Sequence, residues 1–554
     1  MLLLTGLGGA TMAAAAEPPR LTQPVQATKF DLAPGRSYGS PYLAIDPDNE
    51  LHVYAAVAEL RRKRCELLRS TDGGETWARL EASPAPPSYP YCLMGNSHTF
   101  QGKVLFGRGG TMYYPLAGWD DQDGGERSGN VSLFVGRSDD KGDSWTTTAV
   151  ANARGRQGQT VQLNRPLSGF AVDGRTGADD TVVVAWRRIF PGESAPNARA
   201  VQPTVSVSTD GARTFSEPVE LAVAHWANEA NRRQALDARG QVPEPTSPPA
   251  QGSRAANPLD PANFGGGNPS VTIGGDGAIY VAWVTTYSNL SLAPRPNPPA
   301  AHFLSKSTDK GRTWTTTQLT PYTREHVNTF GSQIIQWSPE GGGSLHFVYE
   351  GSKRPDIQNE YDIFYRRSTD GGQTWTEPRV LNDDDPSLIY FSGMPNMKVA
   401  PNGRIDVAWF DTRDEVGTST NDVYYTSSSD NGETWAANIR VTDKGINRLI
   451  GPFAGNFDLN APPGLASRDS YVAFGWDDTR FGDSLVETQD VFTATAQYSQ
   501  VGGGSTTPTL VLFGMLGLVL AGVIMIAFSR LAARSSPAGG SRGGVSQPVS
   551  EQVG

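Results

Sequence analysis

The feature that most limits what this chain can become is an octet that recurs six times: Ser70-Thr-Asp-Gly-Gly-Glu-Thr-Trp77, Ser138 to Trp145, Ser208 to Phe215, Ser307 to Trp314, Ser368 to Trp375 and Ser428 to Trp435. Each copy reads Ser-x-Asp-x-Gly-x-Thr-Trp or a near miss. The Asp of each (Asp72, Asp140, Asp210, Asp309, Asp370, Asp430) is placed to accept backbone N–H bonds across a tight turn. The following Gly supplies a positive φ where a side chain would clash. Ser and Thr hydroxyls add local bonds, and the final aromatic ring wedges between neighbouring strand packets. One copy is therefore a hairpin staple with an apolar anchor, and it holds no nucleophile, base or metal cage.

The octets resemble the Asp-box, or bacterial neuraminidase repeat, of sialidase-like β-propellers. The resemblance implies an all-β ring in which the boxes are structural. The sequence between boxes agrees: Met394 to Val399, Arg404 to Trp409 and Asp422 to Thr426 are short, β-rich and bounded by turn residues, and the box leads into a fourth strand at Trp435. Four strands per repeat make a propeller blade. After the sixth box, Asp469 to Arg480 mirrors Val407 to Arg413, and Asp490 to Thr495 mirrors Asp422 to Ser427 without a box. The expectation is thus a seven-bladed propeller over residues 17–500, its last blade completed by an N-terminal strand in Val25 to Leu32; a six-bladed sialidase propeller is the alternative. A Pro- and Ala-rich departure from Ala222 to Gly265 interrupts the third and fourth repeats.

The ends carry other signals. Residues 1–16 read as a signal peptide lacking its basic start, closing on Ala14-Ala15-Ala16. Residues 501–508 form a Gly/Ser linker, and 509–529 an apolar run long enough to cross a bilayer as one helix. Arg530, Arg534 and Arg542 follow it, so residues 530–554 are expected in the cytoplasm and the propeller outside the cell, tethered to its membrane. Export allows a disulfide between Cys65 and Cys92, the two cysteines of the chain. A net charge of −10 with no basic stripe excludes a nucleic-acid partner. An extracellular glycan or glycoprotein is the expected partner, and the propeller is expected to be monomeric.

Because boxes join third and fourth strands, chemistry belongs on the opposite face, where second strands end and blades connect. If the resemblance extends to activity, it implies three arginines clamping a sugar carboxylate, a Tyr nucleophile activated by a Glu, and an Asp acid/base. The residues on that face are Arg413 and Arg480 with Arg36 or Arg165 as clamp, Tyr390 or Tyr38 as nucleophile, Glu350 as its partner, and Asp120 or Asp411 as acid. The Arg-Ile-Pro signature usual in sialidases is absent, and Asp-Thr-Arg recurs in two successive repeats, as a blade-to-blade ion pair would. The six histidines form no zinc motif. Asn382 to Asp385 offers oxygens of the kind Ca²⁺ takes without the remaining ligand spacing, and reads as a solvated acidic loop. No cofactor is expected. A hydrolase of the exo-sialidase type and a non-catalytic glycan- or protein-binding propeller both fit.

Overall fold

A computed structural model describes residues 18–31, 37–92, 103–120, 131–152, 160–162, 169–191, 199–221, 264–287, 301–321, 332–354, 357, 360–415, 419–451, 461–482 and 488–498. All lie in one unit, Met1–Tyr498. The signal-peptide and membrane-helix segments expected at 1–16 and 509–529, and most of the insertion, lie outside them. Among the described residues no helix is long and apolar enough to cross a membrane.

Every box folds by the same local chemistry. In the first, Ser70 Oγ donates to Asp72 Oδ1 (2.7 Å), Gly74 N–H donates to Ser70 Oγ (2.8 Å), and Asp72 accepts both the N–H and the hydroxyl of Thr76 (2.9 and 2.5 Å). The Trp77 indole closes the turn on the Gly74 carbonyl and reaches Thr493 of the last repeat (3.1 and 3.2 Å). The glycine has a second reason beyond its φ of 102° in this copy. A Cβ on Gly432 would lie 1.9 Å from Tyr365 Oη, and one on Gly372 would lie 2.2 Å from Leu304, both in the preceding repeat. The box is where one blade is pressed onto the blade before it.

Seven antiparallel sheets result, the first six reading inner to outer in chain order. Blade one is Tyr38–Ile45, Val53–Glu59, Arg64–Ser70 and Ala78–Arg79; blade two is Leu105–Phe106, Met112–Trp119, Val131–Ser138 and Thr146–Asn152. Blade three is Phe170–Asp173, Thr181–Pro191, Arg199–Ser208 and Val219–Glu220, and blade four is Phe264–Ile273, Ile279–Tyr287, His302–Ser307 and Thr315–Gln318. Blade five is Gln333–Ser338, Ser344–Gly351, Asp362–Ser368 and Arg379–Val380; blade six is Ser392–Val399, Ile405–Asp411, Thr420–Ser428 and Ile439–Arg440. Blade seven, Gly464–Ser467, Tyr471–Asp478 and Asp490–Gln497, takes its outer strand from Arg20–Leu21 and Val25–Gln26. The seventh sheet sets aside the six-bladed alternative, and the ring closes without an open edge.

The core is distributed between blades. Ala278 and Leu304 of blade four pack with Phe347 and Phe364 of blade five, and Phe410 of blade six packs with Phe474 and Trp476 of blade seven. Trp186, Trp283, Trp409 and Trp476, all on second strands, are fully buried in these wedges. Burying such rings contributes about 2–3 kcal/mol each. Inner strands pack on inner strands round a central axis, and the Cys65–Cys92 disulfide ties blade one to the connection leading into blade two.

Candidate functional site

The face opposite the boxes carries the predicted residues, but it separates them. Arg36 and Arg165 lie outside the described residues. Asp120 is exposed at the end of the second strand of blade two. Tyr38, buried in blade one, donates to Asp31 Oδ2 (2.8 Å) and Glu66 Oε2 (3.3 Å), and burial first, then those carboxylates, push its phenol up.

Asp411 and Arg413 belong to a cassette that recurs in the next blade. Asp411 accepts from the Trp409 indole (2.9 Å), Ser392 Oγ (2.9 Å) and the Arg413 N–H and guanidinium (2.9 and 2.8 Å). The other arm of Arg413 bonds Asp383 (2.6 Å), and its plane lies 4.2 Å from the Tyr424 ring centre. In blade seven, Asp478 accepts from Trp476 (2.9 Å) and Arg480 (2.9 Å), while Arg480 reaches Asp443 (2.6 Å) over the Phe492 ring. Each guanidinium thus has two carboxylates and a ring of its own, one at the boundary of blades five and six and the other at that of six and seven.

Glu350 is also occupied. It is buried at the end of the second strand of blade five and accepts the Met394 N–H (2.8 Å) from the inner strand of blade six. Met394 has a φ of 58° inside a bulge between Gly393 and Asn396. The pattern repeats across the ring seam: Asp477, at the same register in blade seven, accepts the N–H of Ser40 (2.6 Å), whose φ is 56° in the bulge of blade one. A left-handed non-glycine residue costs about 1–3 kcal/mol, which a bond to a buried carboxylate offsets. At the matching register in blade six stands Phe410, and the inner strand of blade seven has no bulge to cap.

The remaining candidate, Tyr390, lines a cleft of about 180 Å³ between blades five and six, with Lys353, Arg354, Glu360, Tyr361, Asp362, Asp384, Asp385, Pro386 and Leu388. One amide organises its floor. Asn382 Nδ2 donates to Asp362 Oδ1 (2.9 Å) and to Asp384 Oδ1 (2.8 Å), so the two oxygens stand within about 6 Å of each other. Lys353 bonds the same oxygen of Asp362 (3.0 Å), and Asp362 Oδ2 is buried with no hydrogen-bond partner among the described residues. Burial first, and then the Asp411 and Asp362 charges, push the Asp384 carboxyl up against the opposing Asn382 bond and Arg413. Arg354 braces the wall through Glu360 (2.5 Å) and the Leu388 carbonyl (2.7 Å). Burial and the Asp385 and Asp384 carboxylates raise the Tyr390 phenol. In the acidic loop, Asp383 faces Arg413, Asp384 faces Asn382 and Asp385 faces Ser387. Among the described residues no three metal-ligating side chains converge.

Tyr390 and the run Asn382 to Asp385 were singled out in the sequence; Asp362, Lys353 and Arg354 were not. The signal available was the run Asn382 to Asp385 on one side and Asp362, opposite Gly351 in register, on the other.

Seven four-stranded blades with boxes on one face make a β-propeller. No protein-family model matches the chain, and no curated protein does. Similar solved structures include a protein of unknown function from Dyadobacter fermentans, 13% identical over 87% of this chain and 100% of that one, with a TM-score of 0.44. The Hadza microbial sialidase Hz136 is 15% identical over 81% and 74%, at 0.40, and the Penicillium chrysogenum α-L-arabinanase complexed with arabinobiose is 14% identical over 71% and 94%, at 0.38.

Proposed function

We propose that this chain is a membrane-anchored, extracellular propeller that engages glycans in the cleft between blades five and six. The observation that carries the reading is the make-up of that cleft: Tyr361 and Tyr390, two bridged carboxylates, an ammonium and a guanidinium around one concave space. Sugars present hydroxyls to such donors and acceptors and C–H faces to such rings. The test is retention of labelled oligosaccharides by the full-length chain in detergent, against R354A and Y390A. Binding weakened at least tenfold by each variant supports the site; no retention by the wild-type chain, or retention by both variants equal to wild type, refutes it.

A second reading, glycoside hydrolysis, rests on the Asp362–Asp384 pair. Asp384, whose carboxyl is pushed up chiefly by burial, would protonate the glycosidic oxygen as the leaving group departs. Asp362 would attack the anomeric carbon, because a separation within about 6 Å is nearer that of retaining pairs than that of inverting pairs, and water deprotonated by the Asp384 carboxylate would then cleave the glycosyl ester and free Asp362. An exo-sialidase would instead use a Tyr nucleophile, here Tyr390 of the same cleft, on a terminal sialic-acid-like sugar. It requires Arg413 or Arg480 to exchange Asp383 or Asp443 for the sugar carboxylate. Release of fluorophore from a sialoside between pH 4 and 8, lost in D384N while glycan binding persists, supports hydrolysis. Complete inertness toward sialosides and neutral glycosides leaves binding alone.

A further inference from the structure

The cleft between blades five and six is unbalanced in charge. Four carboxylates line it, Glu360, Asp362, Asp384 and Asp385, against two cations, Lys353 and Arg354. Both cations are already engaged: Lys353 by Asp362 (3.0 Å), and Arg354 by Glu360 (2.5 Å) and the Leu388 carbonyl (2.7 Å). Asp384 and Asp385 are left over. Asp384 accepts from Asn382 Nδ2 (2.8 Å) and Ser392 Oγ (3.4 Å), Asp385 accepts from the N–H and the hydroxyl of Ser387 (2.9 and 2.7 Å), and among the described residues neither makes an ion pair. Arg413 acts on Asp384 from farther off, but its two arms hold Asp411 (2.8 Å) and Asp383 (2.6 Å).

Asp362 adds an acceptor that the fold does not use. Its side chain is nine-tenths buried, its Oδ1 serves both Lys353 and Asn382, and its Oδ2 has no hydrogen-bond partner among the described residues. A buried carboxylate oxygen without a donor is costly until something supplies one. The negative field also acts on the neighbours. After burial, the Asp385 and Asp384 charges raise the Tyr390 phenol, and the Asp411 and Asp362 charges raise the Asp384 carboxyl. A cation in the cleft relieves this repulsion, and a carboxylate adds to it.

We infer that the glycan held here is a basic one, an amino sugar whose nitrogen is unacylated and protonated, a step that rests on the cleft being a glycan site. Asp362 and Asp384 receive the ammonium. Their bridged oxygens stand within about 6 Å of each other, a span that one nitrogen with several N–H donors fits, as the Asn382 amide does from the protein side. The exposed Asp385 adds its charge beside them. An acetamide offers one N–H and no charge, so it forgoes the charge-assisted bonds, and a carboxylated sugar meets the same groups as repulsion.

The test is the affinity of the full-length chain, in a detergent without a sugar headgroup at pH 6, for a glucosamine trisaccharide and for its N-acetylated counterpart, which differ only at nitrogen. A sialylated trisaccharide is the third probe. The amine form should bind at least about tenfold more tightly than the acetamide form, and the sialylated one more weakly than either. D384N and D385N should each shrink the amine-to-acetamide ratio by about threefold or more; Asp385 is exposed, so D385N keeps the fold. Equal affinities for amine and acetamide forms, or tightest binding of the sialylated probe, overturn the inference and leave the cleft a glycan site. A ratio undiminished in both variants also overturns it, and assigns the preference to the chain's net charge of −10. Failure of the wild-type chain to bind any of the three overturns the glycan site and the inference together.

Discussion

Replacing Asp477 by Asn should stabilise the propeller at pH 8 and change nothing at pH 4. Asp477 is buried where blade seven meets blade one, with Arg448, Asp478, Gln489 and the Ser40 N–H around it. Burial dominates and pushes its carboxyl up to about 7, against about 3.9 in an unfolded chain. A carboxyl whose folded pKa is raised contributes stability that is fully present below pH 4 and is lost as pH rises through 7. A gap of about three pH units corresponds to about 4 kcal/mol. Asn keeps an oxygen for the Ser40 N–H and carries no charge, so the variant escapes this loss. A unit the size of Met1–Tyr498 unfolds with an entropy of about 1 kcal/mol per kelvin, which puts D477N about 4 °C above wild type at pH 8. Scanning calorimetry of both proteins at pH 4, 6 and 8 measures this, and other titrating groups cancel in the difference. A variant less stable at pH 8, or a gap that does not grow between pH 4 and 8, would refute the reasoning and show that Arg448 compensates the charge in full.

Three further outcomes are expected. The Thr313 hydroxyl first, then the Thr313 N–H and the Ser307 hydroxyl, hold Asp309 down to about 2; its contribution is present above pH 4 and lost as pH falls to 2, so D309A should differ from wild type in urea melts at pH 6 and converge with it near pH 2. The Cys65–Cys92 bridge closes a separation of 27 residues, and the double alanine variant should lose about 3–4 kcal/mol in denaturant titrations, with no loss in reducing buffer. G432A places a Cβ 1.9 Å from Tyr365 Oη at a φ of 83° and should cost about 2 kcal/mol or more, whereas reverting Ala212, which occupies the same box position in blade three at a φ of 63°, to Gly should change Tm by less than about 1 °C.

The ring was legible because its signals are local. A box is made within eight residues, and the echo of Val407 to Arg413 in Asp469 to Arg480 disclosed a seventh blade that has no box. Strand closure by the N-terminus followed from counting strands, although the pairing residues are Arg20–Leu21 and Val25–Gln26, and Val25 to Leu32 overlaps only the second of these strands. The site was less legible because its bonds are not local. Asn382 bridges Asp362, twenty residues away, only after blade five has formed its outer strand and turned back toward the channel. Glu350 reads as the partner of a Tyr nucleophile only until Met394 is known to bulge onto it. The Gly393-Met394-Pro395 and Gly39-Ser40-Pro41 tripeptides mark such bulges, but a bulge needs its partner strand before it declares which N–H points away.

The pairing of Val25–Gln26 with Phe492 and Thr493 also imposes an order of events. A ribosome makes Val25, in blade seven's outer edge, 468 residues before the Thr493 it must join. Until Gly464–Ser467 and Tyr471–Asp478 are made, the first blade has no neighbour on one side, and the seam bond from Ser40 to Asp477 cannot exist. Blades can stack as they emerge, each box clamping onto the blade before it, but the circle remains an open arc whose two ends wait for the last strand. Completion is therefore a single late event. A stop just before Asp490 leaves Tyr471–Asp478 with an unpaired edge and Val25–Gln26 with no strand to join, and a chain only a few residues longer supplies both partners at once.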